Sequence, residues 1–159
     1  MTGGDRMKTI RHILFVAVLL ATGASAADKP AADPEELDIA ETVFRYQMAQ
    51  PTDYAMGTNP AAFYLEFKDG DPPWELLNRY ADHTPPVKSQ SDVDHTTEMA
   101  VRDWRTKRPG IRLFVHTIKR MTETKATVNA GHYENGKSTS DYVYEVEEKD
   151  GVWRVTAGN

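Results

Sequence analysis

The chain has no cysteine. That excludes disulfides, thiolate nucleophiles, iron–sulfur clusters, thiolate zinc sites and the lipid-bearing cysteine of an exported lipoprotein. Glycine-rich phosphate loops, the Gly-x-Ser-x-Gly nucleophile word, His-Glu-x-x-His and internal repeats are missing as well. Long apolar runs are scarce: the one that stands out, Ile13 to Ala21, falls short of the roughly 20 residues a membrane-spanning helix needs. Positive charge is in deficit, 19 Lys and Arg against 24 Asp and Glu, so general nucleic-acid binding is not expected.

What is present begins with an address. Lys8, Arg11 and His12 precede the apolar run, and Thr22-Gly23-Ala24-Ser25-Ala26 follows it. A charged start, a short apolar middle and a small-x-small end predict a signal peptide over residues 1–26, cleaved near Ala26, with Met7 as an alternative start. Cleavage removes Arg6, Lys8 and Arg11 against Asp5, leaving 16 basic and 23 acidic residues among 133, a charge of −7. The expected product is periplasmic or secreted, with no transmembrane segment and no cofactor. Export also argues against chemistry that depends on cytosolic NAD or ATP.

Residues 27–33 read as a flexible linker, and residues 34–159 as one α+β domain. Asp33 as cap, Pro34 at the first helical position and Glu36 behind them predict a helix up to Pro51. Leu37, Ala40, Val43, Phe44 and Met48 share one face of it. Residues 61–67 read as a strand with Phe63, Leu65 and Phe67 on one side. Asp71 and Pro72 then introduce a second helix, Trp74 to about Ala81, expected to bury Trp74, Leu77 and Tyr80 or Ala81. Thr84-Pro85-Pro86-Val87-Lys88 is extended, and residues 89–107 form a polar loop or short irregular elements. From residue 111 a meander of four antiparallel strands is predicted, with turns at Asn135-Gly136 and Asp150-Gly151. Tyr142, Tyr144 and Val146 face one way on its third strand, and Trp153 and Val155 point inward on the fourth.

A helix, a strand, a shorter helix and a long meander resemble the cystatin-like and NTF2-like (SnoaL-like) cone folds. Phe63-Tyr64-Leu65-Glu66-Phe67, the run Asp71 to Tyr80, His83-Thr84-Pro85-Pro86-Val87-Lys88, Gly131 to Ser138 and Lys149 to Val155 look like small exported bacterial proteins of that superfamily. The resemblance covers most of residues 35–157 and implies an N-terminal helix packed on a curved antiparallel sheet. The superfamily hosts isomerases, dehydratases, hydrolases and plain binding modules, so fold alone does not choose among them. No residue here matches the aspartate, tyrosine and second acid of the steroid-isomerase-like members, and the Gln-x-Val-x-Gly hairpin of cystatin inhibitors is absent.

Histidine is the usual general base and metal ligand near neutral pH. His116 alternates with Phe114 and Ile118, so it is expected on their strand face and is the acid–base candidate if that face lines a cone. His132 is expected at a sheet edge, and His83 in a local hydrogen bond that fixes the extended run. Asp92-Val93-Asp94-His95 groups two carboxylates with a histidine but fits no established metal spacing, so no metal site is assigned. Tyr142 and Tyr144 are candidate ligand-binding residues, bringing hydroxyls toward an apolar cavity. Trp104 and Arg105 are a second candidate pair, in the basic run Arg102 to Arg108; the alternative is a solvated loop with Trp104 packed underneath. The acidic helix start and the basic run together make a bipolar molecule. The expected function is an exported binding or interaction module for a small apolar ligand, an envelope protein or a second copy in a homodimer. The alternative is an isomerase, lyase or hydrolase using His116 and a tyrosine hydroxyl.

Overall fold

A computed structural model describes residues 32–50, 60–94, 100–135 and 138–159. The predicted signal peptide, most of the linker, His95 and the tip of the Asn135-Gly136 turn lie outside the described residues. The chain divides into Met1–Pro30 and Ala31–Asn159, and every described residue belongs to the second unit.

Helix α1 spans Pro34–Met48. The Asp33 carboxylate accepts the Glu35 N–H at 3.0 Å, and Pro34 sits where a missing N–H costs nothing. Its buried stripe is Leu37, Ile39, Ala40, Val43, Phe44 and Gln47. Met48, expected in that stripe, is only half-buried, while Ile39 and Gln47 join it because the helix beds against three strands. Those strands are β3 (Ile111–Thr122), β4 (Lys125–Asn135) and β6 (Val152–Gly158). With β5 (Ser138–Lys149) they form the predicted antiparallel meander. The core between the layers includes Phe44, Leu65, Leu113, Val128, Val146 and Trp153.

The remaining strands correct the expectation of an antiparallel sheet. β1 (Phe63–Phe67) pairs in parallel with both β2 (Val87–Ser89) and β3. The six-stranded sheet, ordered β2-β1-β3-β4-β5-β6, is therefore mixed. An inner strand with parallel neighbours is normally covered on both sides, and β1 is. Phe63, Leu65 and Phe67 join the main core, whereas Tyr64 packs on the far face with Ala62, Val93, Val101 and Tyr133. Gly110 permits this, since a Cβ there would lie 2.5 Å from the Tyr64 ring.

The second helix, α2 (Trp74–Asn78), is shorter than its sequence suggests, and it buries Leu76 instead of Trp74. Trp74 is 69% exposed. One and a half turns carry too little periodicity to choose a face, which is why the expectation failed. Asp71 does not cap this helix; its carboxylate accepts the Ser91 N–H at 3.1 Å, holding the 3₁₀ turn Gln90–Asp92. Tyr80, just beyond the helix, is buried as expected.

Replacing Phe44 by Ala should cost about 3–5 kcal/mol in urea denaturation, the usual range for a buried aromatic. Trp74→Ala, at a position the sequence alone assigns to the core, should change stability by no more than about 0.5 kcal/mol.

Candidate functional site

Where α1 runs out above the meander, a cavity of about 160 Å³ remains, lined by Tyr46, Gln47, Gln50, His132, Tyr142, Tyr144 and Gly158. Register puts its floor together. Ala130 stands opposite Tyr142, Val128 opposite Tyr144, and Tyr144 opposite Gly158. A Cβ at Gly158 would come within 2.9 Å of the Tyr144 ring, so glycine lets that ring lie close over the edge strand. The rings form a chain: His132 stacks with Tyr142 at 6.1 Å, Tyr142 meets Tyr144 at 5.6 Å, and Tyr46 meets Tyr144 edge-on at 5.6 Å. Gln47, buried on the last helical turn, donates from Nε2 to the Gly131 carbonyl at 2.9 Å and ties the helix end to β4. The cavity is thus a ring-lined recess with amide, imidazole and phenol groups at its walls.

Tyr142 and Tyr144, expected to bring hydroxyls toward a cavity, both line this recess, but His116 does not join them. The β3–β4 register shifts between Val115 and Thr117. Leu113, Val115 and Ile118 consequently turn toward the helix, while His116 follows Phe114, their rings 4.5 Å apart. The sequence reading put His116 on the face of Ile118; a bulge, which shifts the side-chain alternation by one residue, separates them. His116 Nδ1 lies 2.7 Å from the exposed Asp69 carboxylate. Glu66 is close by, and the three side chains bring possible ligand atoms within 4.8 Å of one another. His132, expected at an edge, is buried on the inner strand β4 and contributes the imidazole of the cavity. Its alternation with Val128 and Ala130 was the available signal. His83 makes its expected local contact, Nδ1 to the Pro85 carbonyl at 2.7 Å.

Trp104 and Arg105 lie elsewhere, on the loop at 102–108. The residue that turns inward there is Asp103, only 2% exposed, whereas Trp104 is 55% exposed. Asp103 Oδ2 accepts from the Tyr64 hydroxyl at 2.9 Å and Lys88 Nζ at 2.5 Å, and Oδ1 accepts the Arg105 and Thr106 N–H groups at 3.1 and 2.7 Å. The Lys88 hydrogen bond above all, aided by the Thr106 N–H and the Tyr64 hydroxyl, holds the Asp103 carboxyl well below the usual carboxylate range against the cost of burial. Burial foremost, and the Asp103 charge behind it, push the Tyr64 phenol above its ordinary value. Of the Asp92-Val93-Asp94 run, Asp94 is buried and accepts from Lys107 Nζ at 2.9 Å, so it serves the same loop.

No protein-family model, curated protein or solved structure matches this chain.

A carboxylate with a depressed folded pKa adds stability above its unfolded value, about pH 4, and loses it as the solution is acidified. Asp103→Asn should therefore cost about 3 kcal/mol at neutral pH, and the gap to the parent should narrow below about pH 4 in urea melts. His116→Ala removes a solvent-facing pair with Asp69 and a ring contact with Phe114, and should shift stability by about 1 kcal/mol.

Proposed function

We propose that the chain is an exported binding module of the cystatin/NTF2-like kind, working in the periplasm or outside the cell, and that the tyrosine cavity holds its ligand. The observation that carries this reading is the convergence of Tyr46, Tyr142, Tyr144, His132, Gln47 and Gln50 on one recess between helix and sheet. Binding sites of this sort combine apolar walls with a few placed polar groups. At about 160 Å³ the cavity lies below the roughly 300–1,000 Å³ of sites for drug-sized molecules. A small ring with a polar edge suits it: the ring stacks on tyrosine, and the edge meets amide, imidazole or phenol. This refines the expected apolar ligand toward an amphipathic one.

Two competing readings gain less support. An isomerase, lyase or hydrolase built on His116 needs that base beside a tyrosine hydroxyl, and the bulge carries His116 to the sheet face away from the tyrosine cavity. A homodimer formed on the open sheet face needs a contiguous apolar patch. The far face of β4 and β5 sets the exposed Val143 beside Asn129, Asp141 and Glu145.

Native mass spectrometry of protein isolated from the periplasm should show a small non-covalent adduct. Ligand-observed NMR with phenol and simple pyranoses as probes should show contact with the parent. Tyr142→Ala should weaken binding about tenfold or more, through lost stacking area, and Gly158→Val should displace the Tyr144 ring and do the same. A parent that holds no adduct and no probe, or variants that bind as the parent does, would overturn the reading.

A further inference from the structure

We infer that the loop at 102–108 is a docking element for an anionic phospholipid surface, independent of the tyrosine cavity. Its cations are available. Arg105 and Arg108 form no ion pair with the described residues, and Arg102 donates only to the Lys107 carbonyl. Elsewhere Arg79 pairs with Asp38 and Glu41, Arg120 with Glu35, Arg45 with Glu41 and Arg112 with Glu66, while Arg154 on β6 is exposed and unpaired among the described residues. What sets the loop apart is density: Arg102, Arg105 and Arg108 bring three guanidinium groups without an ion pair into seven residues, in a protein with more acidic than basic residues.

The indole is presented in the same way. Residues 104–109 are all exposed, with Trp104 at 55%, so this tip is not the lid of a packed cluster. An amphipathic indole flanked by guanidinium groups suits the headgroup layer, where the ring reaches the acyl boundary and the cations meet phosphate. An exposed turn needs no shaped counterpart to enter such a layer, whereas an acidic protein partner would need a complementary surface.

The loop is also braced by its own hydrogen bonds. Asp103 fixes its start through four hydrogen bonds, the Lys107 N–H returns to the Asp103 carbonyl at 2.8 Å, and the Asp103 N–H donates to the Arg108 carbonyl at 2.9 Å. Lys107, with φ of 58°, closes the turn and anchors its ammonium on buried Asp94. A buried carboxylate holding an exposed Trp-Arg tip in one shape lowers the ordering cost of docking.

The test is co-sedimentation of the purified chain with phosphatidylcholine vesicles, with and without phosphatidylglycerol. Binding is expected on the anionic vesicles alone and should fall with added salt. The double variant Arg105→Ala/Arg108→Ala should lose about 25-fold in partitioning, about fivefold per charge, with an unchanged melting temperature. Arg105→Lys/Arg108→Lys should stay within about twofold of the parent, because a lipid field reads charge and not the guanidinium fork. Trp104→Ala should weaken partitioning and reduce fluorescence quenching by brominated acyl chains. Absence of binding to the anionic vesicles, equal binding to pure phosphatidylcholine, or an Ala double variant that partitions like the parent would overturn the inference. So would a Lys double variant that falls as far as the Ala variant, since that marks a shaped site for protein carboxylates.

Discussion

The packing of the α1 stripe on β3, β4 and β6 is the contact on which the rest of the structure depends, because it sets which surfaces remain to be covered. Each fully buried Ile, Val or Phe of that stripe contributes about 1.5–3 kcal/mol. A helix of 15 residues is about 22 Å long, and six strands about 4.8 Å apart are about 24 Å wide. One such helix covers one face at most. The chain has two further problems to solve: the end of that face beyond the last helical turn, and the far face of the inner strand β1.

Each problem has its own answer. Beyond the last turn of α1, bulky side chains from both layers lean together without filling the space, and the tyrosine cavity is what remains. On the far side, Val93 and the stretch 100–110 fold over β1 and bury Ala62 and Tyr64 with Val101. That cover is short and mostly polar, so apolar area alone holds it weakly. Asp103 supplies the rest, since a buried carboxylate must be surrounded by donors, and Tyr64, Lys88 and two loop amides are those donors. A side chain that secures the cover from beneath leaves its neighbour Trp104 facing solvent.

Much of the fold was legible in the sequence wherever periodicity ran long enough. Asp33 and Pro34 mark the start of α1, and Leu37, Ala40, Val43 and Phe44 mark its buried face. The alternation of Tyr142, Tyr144 and Val146 gives the inward face of β5 and, with it, part of the cavity. The parallel placement of β1 was not legible, because Phe63 to Phe67 reads the same with parallel or antiparallel neighbours. Nor was the β3 bulge: no residue type announces it, and one skipped position moves His116 across the sheet and leaves His132 as the cavity imidazole. Trp104 was misjudged for a related reason. Hydrophobicity favours the tryptophan of the Asp103-Trp104 pair for burial, yet Asp103 is the residue that turns inward, to four donors, and Trp104 stays 55% exposed.

Charge is distributed with the same asymmetry. The sequence suggests a bipolar molecule, with an acidic helix start against a basic loop, and pairing removes one of the two poles. Glu35, Glu36, Asp38 and Glu41 of α1 are engaged by Arg120, Lys68, Arg79 and Arg45. These pairs are solvent-facing and each contributes little to stability, but they lower the field that the helix projects. At the loop the trade runs the other way. Asp103 and Asp94 neutralise Lys88 and Lys107 close to the protein, while Arg105 and Arg108 at the tip keep their charge. On the proposed docking these cations meet a negative surface, and the neighbouring Trp104 ring suits one with an apolar layer just below it.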